Sequence, residues 1–289
     1  MKTSYKLALA AVVAFAPFAA SAQSSADTPA AAANLPVDPN APVRDTVTIG
    51  VGATLIPRYE GSGDYTVVPG GALRGNYRGI GFSTFGTTLY VDLAPPKSLG
   101  TKFVFGPMAH VTVNRSGLKQ VRDRQIVALG KIPISIDAGA HIGVSHTGVV
   151  TSDYDSVSLD IGVTHDISGI HDSLIVTPLV TYGTPLNTKT YVGIYASATH
   201  VGDGYAQRYF GVTPAQALAS GLVRYTPGSG FKDVTFGALA NRSITGDLRR
   251  GLSAFGVGSY SKLLGEFGRS PVVRDRAQFY GALGLAYTF

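Results

Sequence analysis

The sequence contains no cysteine and no tryptophan, and only 15% of its residues are charged. Without cysteine there is no disulfide framework, so the fold depends on packing or on a bilayer. An average soluble domain has roughly 25% charged residues. The formal charge of +6 is not concentrated in a long Lys/Arg run, which argues against nucleic acid as a partner. What the chain has instead is 36 glycines and 15 tyrosines, a composition that favours a membrane β protein.

The N-terminus has the pattern of a secretory signal peptide. Lys2 and Lys6 precede an apolar stretch over 7–18, and Ala20, Ser21 and Ala22 provide small residues for cleavage. A membrane-spanning helix needs roughly 20 apolar residues, and this run is shorter and polar residues follow it. We therefore predict a signal peptide over 1–22, cut after Ala22, and an exported protein.

Two further segments follow the predicted cleavage site. Residues 23–45 are rich in Ala, Pro, Ser and Asp and have Pro29, Pro36, Pro39 and Pro42 spaced through them. Such a composition cannot build a core, so we expect a flexible periplasmic lead-in. No comparable linker interrupts residues 46–289, which we expect to form one outer-membrane β-barrel domain.

The apolar residues of that domain alternate with polar ones. In 132–145, Ile132, Ile134, Ile136, Ala138, Ala140, Ile142 and Val144 share one strand face. The opposite face carries Ser135, Asp137, His141 and Ser145. Side chains on a strand point to opposite faces with period 2, and barrel strands in lipid alternate over about ten residues. A soluble sandwich would also alternate, but its strands are usually ~5 or 6 residues long. The longer segments here favour a transmembrane barrel.

Eleven segments show this alternation of apolar and polar residues. They are 46–57, 65–77, 80–91, 101–113, 132–145, 156–164, 174–182, 190–200, 231–243, 252–263 and 276–289. Bacterial single-chain barrels have even strand numbers, so one strand is hidden or one is false. We predict an all-β, antiparallel, up-and-down transmembrane barrel of about 12 strands, with 10 as the alternative. The hidden strand is expected in 115–129.

Residues 205–230 depart from the strand pattern. Thr213 can cap a helix, Pro214 suits its first position, and Gly221 can end it. We predict a short helix in a long loop, which either folds into the barrel mouth as a constriction or lies on the surface.

The last segment places Phe279, Leu283, Leu285, Tyr287 and Phe289 on one face. A final strand that alternates toward a terminal Phe resembles the signal read by the barrel assembly machinery. We therefore expect Tyr287 and Phe289 to serve as this barrel-assembly signal.

Four stretches resemble the MipA/OmpV family of outer-membrane proteins, and together they span nearly the whole mature chain. The first is Pro57, Arg58, Tyr59, Glu60, Gly61 and Ser62, similar to the family's Pro-x-Tyr-x-Gly-Ser turn. The second, and most specific, runs through Tyr209, Phe210, Gly211, Val212, Gln216, Ala217, Ser220, Gly221, Leu222 and Tyr225 to Gly230. The third is Leu263, Leu264 and Gly265 followed by Ser270, Pro271 and Val272, and the fourth is the ending 284–289.

The resemblance implies an outer-membrane barrel, with outer-membrane lipid and the barrel assembly machinery as its surroundings. One family member is described as a scaffold linking a lytic transglycosylase to a murein synthase, and others as porin-like or adhesive. The leading expectation is therefore a non-enzymatic scaffold for murein-processing enzymes in cell-envelope maintenance. The alternative is a small-solute, porin-like channel. Its lumen would bear Asp137, His141, Asp160, Lys102 and His110.

No catalytic, metal or cofactor site emerges from residue spacing. Asp137 and His141 lie on one face but are about 13 to 14 Å apart along a strand at ~3.4 Å per residue, so they cannot form a dyad. Asp160 on the next strand could approach His141, but paired polar groups are usual in a narrow lumen. His110, His146, His165, His171 and His200 have no i, i+2 or i, i+4 His or Cys partner, so no metal site is predicted.

Many tyrosines fall near predicted strand ends. They are Tyr59, Tyr65, Tyr77, Tyr90, Tyr154, Tyr182, Tyr191, Tyr195 and Tyr287. This placement is typical of aromatic girdles at the two membrane interfaces.

Overall fold

The computed structural model describes residues 45–95, 99–118 and 121–289. The predicted signal peptide and nearly all of the predicted lead-in lie outside these residues. Twelve antiparallel strands close into one barrel, in which each strand pairs with its neighbours in the chain and β1 pairs with β12. The strands are β1 (Thr46–Pro57), β2 (Tyr65–Tyr77), β3 (Ile80–Phe85), β4 (Thr88–Asp92), β5 (Gly100–Thr112), β6 (Ser135–Thr147), β7 (Ser156–Asp166), β8 (Leu174–Asn187), β9 (Thr190–Val201), β10 (Gly230–Ser243), β11 (Gly251–Leu263) and β12 (Ala277–Thr288).

The count of 12 is confirmed, but the expected position of the hidden strand is wrong. The segment 80–91, interpreted from the sequence as one strand, is a hairpin of β3 and β4. Gly86 makes the reversal with φ of 59°, a left-handed conformation that glycine adopts without steric cost. The described residues of 115–129 contain a loop and a short helix, not a strand.

Alternation sorts the strand side chains into a lipid face and a lumen face, as predicted. Val51, Phe103, Ile142 and Leu283 are 65%, 70%, 65% and 72% exposed on the outer surface. An apolar surface of this extent around a whole barrel would be unfavourable in water and requires lipid. No helix in the described residues is long and apolar enough to cross a membrane.

One strand begins later than the sequence pattern predicted. β6 starts at Ser135, whereas alternation had been traced back to Ile132. Pro133 has no backbone N–H to contribute to a ladder, which limits pairing before Ser135. Ile132 is 4% exposed and packs in an apolar cluster with Tyr205 and Phe210, so it does not face lipid.

The two ends of the barrel differ. The end that holds the start of β1 and the end of β12 has mostly short connections, and we call it the turn end. The opposite end, the loop end, carries the segments 58–64, 113–134, 167–173, 202–229 and 264–276. Four helices lie at the loop end: α1 (Arg124–Ala128), α2 (Asp203–Phe210), α3 (Pro214–Ser220) and α4 (Gly265–Arg269).

Side chains from different walls meet inside the barrel. The ring of Phe85 on β3 lies 5.0 Å from that of Tyr195 on β9, and these strands are not neighbours in the sheet. Toward the turn end, Phe255 is 4% exposed and packs with Ala282, Ala286 and Ala72. Side chains therefore meet inside the barrel at two levels.

Candidate functional site

The helices and long segments of the loop end pack together into one structure, which we call the cap. We define it as the described residues of 58–64, 113–134, 167–173, 202–229 and 264–276. Its interior contains two apolar clusters. One centres on Tyr205, Tyr209, Phe210 and Phe267, and the other on Tyr59, Ile126, Leu129, Val212 and Val272.

The predicted helix is present as α3. Thr213 accepts from the backbone N–H of Gln216 at 3.3 Å, and the Gln216 side chain accepts from that of Thr213 at 3.0 Å, a capping box. Gly221 ends the helix in the left-handed conformation. The other end of the Gln216 side chain donates to the Leu129 carbonyl at 2.9 Å. Because that carbonyl belongs to the segment after α1, the helix is joined to the rest of the cap and is not an isolated surface turn.

The helix α2 was not predicted, and it forms the inner layer of the cap. Tyr205, Tyr209 and Phe210 are 4%, 1% and 0% exposed. The Arg115 guanidinium donates to the carbonyl of Tyr209 at 3.1 Å and to that of Arg208 at 3.3 Å, which satisfies the C-terminal end of α2. Burial lowers the pKa of Arg115 to about 10, so it stays charged at neutral pH.

The family-like residues build the cap. Tyr209 and Phe210 fill its core, and Ser270 donates to the Phe210 carbonyl at 2.6 Å. Ser220 donates to the Gln216 carbonyl at 2.6 Å, and the Pro271 carbonyl accepts from Arg274 at 3.4 Å. Gly211 and Ser62 are buried nearby. These residues are brought together by the fold although they come from separate loops.

The first of these loops is tied to the last one at Gly61. The Gly61 carbonyl accepts from the backbone N–H of Arg274 at 2.7 Å and of Asp275 at 3.1 Å. Its own N–H donates to the Gln278 side chain at 3.0 Å. Gly61 has φ of 91°, and an added Cβ would lie 2.7 Å from Val273. Both the backbone conformation and the close approach require glycine here.

A salt bridge joins the last loop of the cap to the segment that contains α1. Arg274 donates to the Asp123 carboxylate at 2.7 Å. Burial opposes ionisation of Asp123, but the hydrogen bonds from Arg274 and from the first turn of α1 outweigh it and lower its pKa. Burial and the nearby Asp123 charge raise the pKa of Tyr59 to about 12, so that phenol is neutral at physiological pH.

Beneath α2, a cluster of buried charges attaches the cap to the barrel wall. The Lys232 ammonium contacts the carboxylate of Glu60 and lies 3.1 Å from that of Asp233. The Tyr205 hydroxyl donates to Glu60 at 3.3 Å. All three charged side chains are at most 13% exposed. Two acids and one base therefore share a site from which water is largely excluded.

The predicted polar groups of the lumen are paired internally. His141 Nδ1 lies 2.9 Å from Asp160, and its Nε2 lies 3.0 Å from the Val91 carbonyl. Lys102 lies 3.4 Å from Asp92, and His110 Nδ1 lies 2.8 Å from the Thr88 hydroxyl. The approach of Asp160 to His141 was anticipated from the strand pattern.

Asp137 belongs to a different group. His171 Nε2 lies 2.8 Å from Asp137 Oδ1, and Asp166 completes a set whose ligand atoms lie within 4.8 Å of one another. Sequence spacing predicted no metal site, because the three residues lie on two strands and a loop and no short motif links them.

The expected aromatic girdle is only partly present. Tyr77 and Tyr287 are 51% and 47% exposed at strand ends, as the girdle requires. By contrast, Tyr191 and Tyr195 are 4% and 8% exposed in the lumen, and Tyr59 is 4% exposed in the cap. In the sequence, position along the strand assigns Tyr191 and Tyr195 to the girdle. The alternation of the strand, however, decides whether a side chain faces lipid or the lumen.

A family model described as "MltA-interacting protein MipA" matches residues 49–289. The chain belongs to the MipA family. The matched region includes most of β1, all the other strands and the whole cap, and it agrees with the resemblance carried by the four motif stretches.

Solved structures with a similar architecture are outer-membrane barrels. The porin NanC has a TM-score of 0.45 at 10% identity, over 84% of this chain and 98% of that one. The monoaromatic hydrocarbon channel CymD has 0.37 at 9% identity, over 85% and 89%. OmpT of Vibrio cholerae has 0.32 at 9% identity, over 88% and 99%. The similarity carries no information on ligand or partner. No curated protein matches the sequence.

Proposed function

We propose that this MipA-family barrel is a non-enzymatic, non-conducting scaffold that holds murein-processing enzymes at the outer membrane. We infer from the side-chain contacts that cross the lumen that side chains fill it, and this inference carries the proposal. A solute path would need a continuous polar channel, whereas Phe85 meets Tyr195 across the barrel and Tyr205 and Tyr209 lie buried under the cap. The family description names an interaction with MltA, which supports a partner among the murein-processing enzymes; we propose a lytic transglycosylase and a murein synthase.

The partner surface of such a scaffold belongs at the turn end. Long loops of outer-membrane barrels face the outside and short turns face the periplasm, where murein lies. The cap therefore faces away from these enzymes. Only the turns, and the residues that precede β1, can reach them.

The turn 148–155 is a candidate contact with its own hydrogen-bond network. Asp155 accepts from the backbone N–H groups of Val149, Val150 and Thr151 at 2.7, 2.9 and 2.6 Å, and from the Tyr182 hydroxyl at 3.1 Å. Burial alone would raise the pKa of Asp155, but these hydrogen bonds outweigh it and hold the pKa well below its usual range. The turn is therefore held by one ionised carboxylate.

This rigid turn presents two apolar side chains. Val149 is 45% exposed and Val150 is 74% exposed. Exposed apolar residues on a preorganised loop lose little conformational entropy on association. Val150 is therefore the residue expected to contribute to partner binding.

The first experiment is ion conductance of the purified barrel in planar bilayers. We expect no steady conductance from the intact protein, because its lumen is filled. A variant lacking 209–221 tests whether the cap alone closes the barrel or whether the lumen residues suffice. Steady conductance of the intact protein would contradict the scaffold proposal and support a small-solute, porin-like channel.

The second experiment tests the partner surface by co-isolation of the lytic transglycosylase and the murein synthase. Val150→Asp at the turn end is compared with Leu218→Asp on α3, where Leu218 is 91% exposed at the loop end. Both changes add one charge to an exposed apolar position. Recovery of the enzymes should fall at least fivefold with Val150→Asp alone. Equal recovery with both variants would refute this placement of the contact.

A further inference from the structure

Asp137, Asp166 and His171 come together at the loop end of the barrel interior. Asp137 lies on β6, Asp166 ends β7, and His171 follows in the segment that leads to β8. Their ligand atoms lie within 4.8 Å of one another. The side chains of Asp137 and His171 are 0% exposed, and Asp166 is 5% exposed. Ligand atoms at about 2.0 to 2.2 Å from one ion lie at most about 4.4 Å apart, so this group needs at most a small contraction to hold one.

Three buried polar atoms of this group, Asp137 Oδ2 and both ring nitrogens of His171, have no hydrogen-bond partner among the described residues of the protein. His171 Nε2 lies 2.8 Å from Asp137 Oδ1, but the contact lacks the direction of a hydrogen bond. Buried polar atoms in native proteins nearly always have a partner. A cation between the imidazole and the carboxylate would supply one.

The buried carboxylates carry more negative charge than one imidazole can balance. Asp137 and Asp166 lie beside a single imidazole, which offsets at most one negative charge even when it is protonated. The buried cations of the cap have other partners: Lys232 contacts Glu60 and Asp233, and Arg115 binds the end of α2. A buried charge is stable only when it is paired or bound to a metal. One divalent ion would neutralise both carboxylates.

The surroundings orient the ligands. Asp166 accepts from the backbone N–H of Ser168 at 2.8 Å, of His171 at 2.6 Å and of Asp172 at 3.0 Å. Metal-binding carboxylates are usually held by such outer hydrogen bonds. The hydroxyl of Ser135 lies 3.4 Å from both Asp137 and Asp166, so it is near enough to approach an ion held between them.

We infer that Asp137, Asp166 and His171 form a structural site for a divalent transition-metal ion of the zinc type. Mixed imidazole and carboxylate ligands favour zinc and its neighbours over calcium or magnesium, which bind oxygen ligands. The ring of His171 packs edge-on against Tyr205 of α2 at 5.2 Å. The ion would therefore fix the segment 167–173 to the barrel wall and support the inner layer of the cap. This inference is independent of the scaffold proposal.

The test uses the full-length barrel, exported and purified in detergent without a polyhistidine tag. The protein is stripped with EDTA, supplied with zinc and analysed by mass spectrometry for bound metal. His171→Asn and Asp137→Asn are compared with His165→Asn, which alters a histidine whose side chain is 47% exposed. A heat-modifiable gel shift verifies that each variant is folded.

We expect about one zinc ion per chain in the unaltered protein and in His165→Asn. The affinity should fall at least tenfold in His171→Asn and Asp137→Asn, because even the loss of an outer-shell partner typically costs about 10- to 100-fold. Folded, unaltered barrel that takes up no zinc would overturn the inference, as would equal uptake by His171→Asn. If the ligand variants do not fold, X-ray absorption of the zinc-loaded protein decides. One imidazole nitrogen with oxygen ligands at about 2.0 Å supports the site, and any other ligand set contradicts it.

Discussion

In the charge cluster of Glu60, Lys232 and Asp233, we predict that removing the base lowers stability much more than removing one acid. Lys232→Met would leave two carboxylates together in a site where all three charged side chains are at most 13% exposed. Removing one partner of a buried ion pair typically costs about 3 to 5 kcal/mol. We therefore expect the free energy of unfolding to fall by about that amount.

Removing an acid should cost much less. In Asp233→Asn, Lys232 still contacts Glu60, and the Thr199 hydroxyl, now 3.1 Å from the carboxylate, can donate to the amide oxygen. The variant also removes the excess negative charge. We expect a loss of about 1 kcal/mol or less, the usual net value of one hydrogen bond.

The double variant Glu60→Gln, Lys232→Met should recover part of the stability lost by Lys232→Met. It removes one of the two carboxylates that the single change leaves without a cation, and the remaining Asp233 still accepts from the Thr199 hydroxyl. Urea unfolding in detergent, followed by far-ultraviolet circular dichroism, gives the free energies for a double-mutant cycle. A Lys232→Met barrel within about 0.5 kcal/mol of the unaltered protein would refute the reasoning, because that is the range of ordinary surface changes.

Three further predictions concern single positions. Gly61→Ala should destabilise the barrel by about 1 to 3 kcal/mol, since alanine at φ of 91° is strained and its Cβ meets Val273 at 2.7 Å. The control for backbone strain alone is Gly79→Ala, where φ is 82° but nothing lies within 4 Å. Equal urea midpoints of the two variants would argue against an effect of the close contact with Val273. Asp155→Asn should loosen the turn 148–155 at neutral pH. The pKa of Asp155 is lowered in the folded protein, so the stability that its carboxylate contributes is present above about pH 4 and is progressively lost below it. The difference in thermal midpoint between Asp155→Asn and the unaltered protein should therefore shrink only on acidification. Phe289→Asp should impair outer-membrane assembly, because Phe289 is 62% exposed on the outer face. A normal yield of heat-modifiable barrel would contradict the interpretation of the C-terminus as an assembly signal.

Much of the barrel could be predicted because lipid imposes a strict local pattern. Alternation located most strands within a few residues, and β1 and β2 within none. The even-number rule allowed 12 or 10 strands, and the preferred count of 12 is confirmed. The rule does not locate the additional strand. The tight turn at Gly86 joins two short strands, and their alternation runs through the turn without a visible break.

The cap was less predictable. The helix α3 has its own signals in Thr213, Pro214, Gln216 and Gly221, so it was found. No side chain caps the N-terminus of α2, since Gly202 occupies that position, and its stability comes from burial of Tyr205 and Phe210. Burial against distant residues leaves no local signal in the sequence.

The sequence by itself determined the class, the membrane face of each strand and the family, because each of these is written in a short-range period or motif. Only the tertiary structure decided that Phe85 meets Tyr195 across the lumen, that the family motifs meet in one cap, and that Asp137 faces His171. These depend on which side chains meet across a closed barrel. Closure brings together residues such as Glu60 and Lys232, which are far apart in the chain and share no local pattern.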